Sequence, residues 1–134
     1  MMSRFDAALN ALEAETGWKP VADEADAPAT AHFDLAGLSF SMAAPDDRHL
    51  YFTYRLAELA SDEDAQARAR GYARMAAAAF RTRHAALSLY QRAFYLSQEV
   101  DLTAIDVADV PGFCQKFLND CDWWRENSPA MNQG

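Results

Sequence analysis

The chain has 134 residues, which is enough for one domain with a single hydrophobic core. Hydrophobic residues make up 51 % of it and charged residues 24 %, as in water-soluble globular proteins. Twenty acidic residues against twelve basic ones leave a net charge of −8, which argues against nucleic acids and anionic membranes as partners because both attract basic surfaces.

The first predicted element is a helix that begins after Ser3. Ser3 and Asp6 form a pattern similar to a capping box, which satisfies the free N–H groups of a first helical turn. Apolar residues then recur at helical spacing: Phe5, Ala8, Leu9 and Leu12. Gly17 predicts the end of the helix. We interpret the polar, Ala- and Pro-rich stretch 20–31 as a flexible connector.

Three strands are predicted next, as an antiparallel meander. In HFDLAGLSFSM (32–42) the apolar residues change parity at Ala36–Gly37. The two sets are Phe33 and Leu35, then Leu38, Phe40 and Met42. A tight turn or a bulge produces such a change, because strand side chains alternate with period two. APDDR (44–48) is a turn by composition, and HLYFTYRL (49–56) alternates like a strand with one covered face.

A second helix and two more strands follow. The helix is predicted to begin at Ser61–Asp64, which again resembles a capping box. The alanines of 76–79 leave its flanks small, so we expect it to pack against its own sheet and a second subunit. A plain helix of high propensity would explain the same residues. The stretches 85–90 and 92–100 are predicted strands that form either a tight hairpin or one long bent strand.

The last predicted element is an amphipathic helix in VPGFCQKFLNDCDWWRE (110–126). Pro111 suits a first helical turn. Apolar residues lie on one face at spacings of three and four: Val110, Phe113, Cys114, Phe117, Leu118, Cys121 and Trp124. Trp123 lies off this stripe and is the better candidate for contact with another molecule. We expect residues 127–134 to be a disordered tail.

The predicted order of elements is α-β-β-β-α-β-β-α, which indicates an α+β fold: an antiparallel sheet with helices packed on one face. We expect residues 1–134 to form a single domain. No apolar run approaches the ~20 residues that cross a bilayer. The first residues lack the basic start and apolar block of a signal peptide, so we expect a cytoplasmic protein.

No catalytic or metal-binding pattern is evident in the sequence. Cys114 and Cys121 are seven residues apart on one predicted helix, which separates them by ~10 Å, too far for a disulfide. Both lie on the apolar stripe, where cysteine behaves as a small hydrophobic residue. The histidines are not spaced as metal ligands, and there is no glycine-rich phosphate loop. We expect neither enzyme activity nor a cofactor; a site assembled from distant residues is the alternative.

Three features together carry a family resemblance. They are the element order, the strand 49–56 that leads into a capped helix, and the ending FYLSQEVDLTAIDVADVPGFCQKFLNDCDWWRE (94–126). They resemble the class I type III secretion chaperones of the CesT/Tir-chaperone family, whose domains end in an apolar strand, an acidic linker and a helix with spaced aromatic residues. Phe117, Cys121 and Trp124 match that ending. The resemblance extends from residue 5 to residue 126.

The resemblance implies a homodimeric chaperone that binds the N-terminal segment of a cognate effector protein and keeps it non-globular for export. Strand addition at an open sheet edge and apolar pockets would hold that segment. The expected dimer interface lies on the second helix: Tyr72, Met75, Ala76, Ala79 and Phe80. In the meander, large apolar side chains occupy both odd and even positions, so some of them are expected to face a partner. The expected effector-binding residues lie on the first helix and the meander: Leu9, Leu12, Phe33, Leu35, Leu38 and Phe40.

Two alternatives stay open. All six of the expected effector-binding residues would be core residues if the turn or bulge at residues 36–37 only changes which positions of the strand face the core. A YbjN-like domain, or another dimeric protein-binding module, would have the same fold without serving secretion.

Overall fold

The computed structural model describes residues 2–21, 29–35, 37–58, 62–79 and 85–127, and within the second helix the side chains of 66–78. The described elements, in chain order, are α1 (Arg4–Thr16), β1 (Thr30–Leu35), β2 (Leu38–Ala43), β3 (His49–Glu58), α2 (Asp62–Ala79), β4 (Ala86–Tyr90), β5 (Ala93–Asp101), a 3₁₀ turn (Val107–Asp109) and α3 (Val110–Glu126). The predicted order of helices and strands is confirmed. Most of the predicted connector (22–28), Ser61 of the second capping pattern, and the tail from residue 128 lie outside the described residues.

The five strands form one antiparallel sheet in the order β1-β2-β3-β5-β4. The central strand β3 pairs with β2 and β5, and a bulge between Arg55 and Ala57 shifts its register against β5. Helices α1 and α3 cover the same face of the sheet, where the buried apolar residues form one core. The predicted arrangement, with helices on one face of an antiparallel sheet, is therefore confirmed.

The hairpin of β1 and β2 explains the change of parity at Gly37. Leu35 pairs with Leu38, and Phe33 pairs with Phe40, so only two residues connect the strands. Residues opposite each other in an antiparallel pair point to the same face of the sheet. Both apolar sets therefore lie on the covered face, and the expectation that the meander presents apolar side chains on both faces is wrong.

The first helix has the caps that the sequence predicts. The Ser3 hydroxyl accepts a hydrogen bond from the Asp6 N–H at 3.0 Å. Gly17 ends the helix in the left-handed conformation, with φ of 76°, and donates its N–H to the Glu13 carbonyl at 2.7 Å. A further cap comes from the β2–β3 turn, because the Asp47 carboxylate accepts hydrogen bonds from the N–H groups of Arg4 and Phe5, at 3.1 and 3.0 Å.

Helix α3 closes the core with the predicted stripe. Its buried residues are Val110, Cys114, Phe117, Leu118, Asp120, Cys121 and Trp124. The Phe117 ring stacks on Phe52 of β3, with centroids 5.7 Å apart. The buried Asp120 side chain accepts a hydrogen bond from the Ala85 N–H at 3.1 Å, which ties the start of β4 to the middle of α3. Trp123 is half-buried, consistent with its place off the stripe.

Among the described side chains of helix α2, Tyr72 makes the main contact with the core. The Tyr72 ring packs edge-on against Phe94 at 4.6 Å and against Trp124 at 5.8 Å. Met75 and Ala76 are half-buried against the same core, and Tyr72 is the only buried side chain among residues 66–78. Most of the described side chains of α2 are therefore exposed.

Candidate partner-binding surfaces

The expected effector-binding residues separate into two groups. Four of them are buried in the core of the single chain: Leu12, Phe33, Leu38 and Phe40. The Phe33 and Phe40 rings stack on each other with centroids 5.1 Å apart. These four residues do not line an open groove in the folded chain, because the two-residue hairpin turns them all inward. Leu9 and Leu35 are half-buried at the margin of the core, and effector contact there stays a prediction.

The outer edge of β1 is partly occupied by the chain itself. The Val21 N–H donates a hydrogen bond to the His32 carbonyl at 2.7 Å. A strand residue directs its N–H and C=O to the same side, so His32 and Asp34 present their main-chain groups outward, away from β2. This edge has the geometry needed for strand addition, but only beyond the contact with Val21.

The opposite edge, β4, exposes large apolar side chains. Leu89 is 52 % exposed and Tyr90 is 63 % exposed, although both lie in a regular strand. An exposed edge strand with apolar side chains pairs readily with another chain. The signal in the sequence is two adjacent large residues at the end of a short predicted strand.

Three of the five expected dimer residues have described side chains, and all three are in contact with the core. Tyr72 itself is buried in its own chain, while Met75 and Ala76 are partly accessible. The side chain of Ala79, and Phe80 as a whole, lie outside the described residues. The structure therefore leaves two of the five expected residues accessible to a partner, on a helix whose other described side chains are mostly exposed.

A polar cleft of about 490 Å³ lies between α2, α3 and the end of β3. Arg68 of α2 and Arg125 of α3 line it, together with the rings of Tyr54 and Tyr72. Arg125 forms an ion pair with Asp122 at 3.5 Å. Burial raises the pKa of Tyr54, so its hydroxyl stays protonated over the physiological range. Positive and negative groups are balanced here, which gives the cleft no preference for one sign of ligand charge.

The β2–β3 turn forms a charged junction around His49. Its Nδ1 lies 2.6 Å from Asp46 Oδ2, and its Nε2 lies 3.8 Å from Glu99 Oε1. The hydrogen bond to Asp46 raises the pKa of His49, and hydrogen bonds from His49 lower the pKa of Asp46. The N–H groups of the first turn of α1 lower the pKa of Asp47. Both aspartates thus have structural roles, as their place in a turn predicts.

The cysteines have no reactive environment. Cys114 and Cys121 are both free and buried. Burial raises the pKa of Cys114 to about 12 and also raises that of Cys121, so neither is a thiolate at neutral pH. Among the described residues, no group of three or more His, Cys, Asp or Glu side chains is placed to hold a metal ion, and His84 lies outside them. None of the helices in the described part of the chain is long and apolar enough to span a membrane.

Comparison with known proteins relates the chain to others by fold. No protein-family profile matches it, and no curated protein does. A chain of the HopA1–SchA chaperone–effector complex is similar with a TM-score of 0.64 and 16 % identity, over 92 % of this chain and 94 % of that one. A chain of the Yersinia pestis complex of the type III secretion chaperone SycH with a stable fragment of YscM2 is similar with a TM-score of 0.56 and 10 % identity, over 89 % of this chain and 98 % of that one.

A chain of the ExoT–SpcS complex from Pseudomonas aeruginosa gives a TM-score of 0.60 and 14 % identity, over 92 % of this chain and 98 % of that one. In each comparison nearly the whole of both chains is superposed, so the likeness is that of a complete domain. The protein has the fold found in complexes of type III secretion chaperones.

Proposed function

We propose that the protein is a cytoplasmic class I type III secretion chaperone, which binds the N-terminal segment of one effector and keeps it non-globular for export. The observation that carries the proposal is the shared fold: at least 89 % of this chain superposes on chains solved in chaperone–effector complexes. The sequence resemblance is a separate support, because it rests on the element order and on the terminal helix with Phe117 and Trp124.

The surface of the molecule supports a protein-binding role. The two edge strands of the sheet, β1 beyond its contact with Val21 and β4, have no further strand paired with them among the described residues, so they offer main-chain donors and acceptors to an extended segment, whatever its sequence. Half-buried apolar residues at the margin of the core, such as Leu9 and Leu35, would take spaced apolar side chains. The net charge of −8 keeps such a surface soluble.

Homodimerisation is part of the proposal. A partner surface would remove the exposed side chains of Leu89 and Tyr90 on β4, and those of helix α2, from water. A second copy would cover both elements at once across a twofold axis, because a twofold interface places the same patch of each subunit against the other. We also propose that the protein has no enzymatic activity and no cofactor.

Co-purification with candidate effectors tests the proposed function. Each protein encoded next to this one would be co-expressed as a tagged N-terminal segment of about one hundred residues. A stable complex with one segment, in which the segment stays sensitive to protease outside the bound stretch, supports the proposal. Failure of every such segment to bind, together with binding of a folded protein, would instead favour a dimeric binding module of the same fold that does not serve secretion.

A further inference from the structure

Helix α1 crosses the covered face of the β1–β2 hairpin. Its first turn is capped by Asp47 of the β2–β3 turn, and the chain that leaves its last turn reaches the outer edge of β1, where Val21 donates a hydrogen bond to His32. Between these two points α1 packs beside α3, which itself contacts β3 and β5. The helix therefore lies over β2 and β1, with Phe5 and Leu12 buried in the same core as the hairpin.

A single side chain supplies the polar link between α1 and the rest of the described structure. The Asp47 carboxylate accepts the hydrogen bonds of the Arg4 and Phe5 N–H groups, and its Oδ2 lies 4.0 Å from a guanidinium nitrogen of Arg4. The other hydrogen bonds that residues 2–18 form with described residues stay within the helix and its two ends. Asp47 is thus the polar contact that holds the start of α1 against the sheet.

The other end of α1 has the geometry of a hinge. Gly17 has a φ of 76°, and no described atom beyond its chain neighbours lies within 4 Å of the point where a Cβ would stand. The chain is fixed again directly afterwards, because Trp18 packs against the core and Val21 bonds to His32 at 2.7 Å. A rotation about Gly17 would therefore swing α1 without disturbing the edge of β1.

The face under α1 is apolar and would lose its cover in that movement. The stacked rings of Phe33 and Phe40 lie on this face, on the two strands of the hairpin. Helix α1 covers it with three buried side chains at spacings of three and four residues: Phe5, Ala8 and Leu12. The face therefore fits a segment that presents apolar residues at the same spacing.

We propose that α1 is a hinged cover, latched by Asp47 and turning about Gly17, which opens while the sheet and α3 stay folded. In the open state the exported partner places apolar side chains, spaced like those of α1, on the uncovered face of the hairpin. This second step rests on the chaperone function proposed above, whereas the opening itself does not. Opening makes accessible the four expected effector-binding residues that the closed structure buries: Leu12, Phe33, Leu38 and Phe40.

Native-state hydrogen exchange tests the opening. An isolated helix of 13 residues is marginal in water, so the amides of an undocked α1 exchange with solvent. In the wild-type protein they should exchange about tenfold faster, or more, than the most protected amides of α3. Asp47→Gly removes the latch without straining the φ of 57° at that position, and should speed the exchange of α1 about tenfold further, as expected for a lost helix cap. Asp47→Asn, which keeps one acceptor oxygen, should have a smaller effect.

Phe94→Leu is the matched control. Phe94 is buried on β5, which lies on the far side of β3 from the hairpin under α1. The change lowers the stability of the whole fold, so the amides of α3 should exchange faster, whereas those of α1 should stay within about twofold of wild type. The opening is overturned if α1 and α3 exchange alike in the wild type, if Phe94→Leu accelerates both equally, or if Asp47→Gly leaves the exchange of α1 unchanged.

The affinity for the effector segment identified by co-purification tests the regulation. A ligand of the open state binds more tightly when that state is more populated, so Asp47→Gly should bind the segment about tenfold more tightly than wild type, although the variant is less stable. Equal or weaker binding would overturn the regulatory role of α1. Absence of any effector complex would refute the chaperone function instead, and the exchange test of the opening would keep its meaning.

Discussion

Replacing Phe117 with alanine tests whether α3 closes the hydrophobic core. The Phe117 side chain is 0 % exposed, and its ring stacks on Phe52. Removal of a buried aromatic side chain costs ~3–5 kcal/mol, because apolar burial is lost and a cavity remains. Since a domain is stable by only ~5–15 kcal/mol, the variant should lose a large part of its free energy of unfolding.

Urea unfolding followed by tryptophan fluorescence measures this loss, at one fixed protein concentration so that subunit association does not change the comparison. In a separate thermal melt, the midpoint should fall by roughly 10–25 °C, at ~3–5 °C per kcal/mol for a chain of this length. Phe113→Ala is the matched control, because Phe113 lies one turn earlier on the same helix and is only half-buried. It should cost ~1–2 kcal/mol. Equal losses for the two variants would refute the assignment of Phe117 to the core.

Three further predictions concern assembly, the cysteines and pH. Light scattering after gel filtration should give twice the chain mass of 14.9 kDa, and a monomer at micromolar concentration would contradict the proposed interface. Ala76→Trp should weaken the dimer by ~1–3 kcal/mol, because the larger side chain overpacks the interface. Cys114→Ala and Cys121→Ala should each lower stability slightly and leave partner affinity unchanged, because both thiols are buried; loss of binding with an intact fold would give them another role. The hydrogen bond to Asp46 raises the pKa of His49, so the contribution of protonated His49 to folding stability is present below about pH 6.5 and is lost as the pH rises through the folded-state pKa. His49→Gln should therefore flatten the dependence of the free energy of unfolding on pH across that range. An unchanged pH dependence would show that the contact does not contribute to stability.

The fold was predictable from the sequence because its local signals agree with one another. The stripe on α3, the caps at Ser3 and Gly17, and the alternation in β3 each indicate one element, and together they give the element order. Such signals involve residues close in the sequence, so they are visible without a structure. For the same reason the terminal helix was the best-predicted part of the chain.

The binding surface was less predictable because it depends on register and on contacts between distant residues. Parity alone placed Phe33 and Phe40 on opposite faces, whereas the two-residue hairpin pairs them on the same face. The cap from Asp47 to α1 joins residues more than forty positions apart, and no local pattern marks it.

Hydrogen–deuterium exchange on a complex with the cognate effector segment tests the central claim most directly. The account predicts that the effector segment exchanges rapidly along most of its length, with protection only in short stretches, and that the chaperone becomes protected at its sheet edges. An effector segment that is protected throughout, as in a folded domain, would contradict the claim that this protein keeps its partner non-globular.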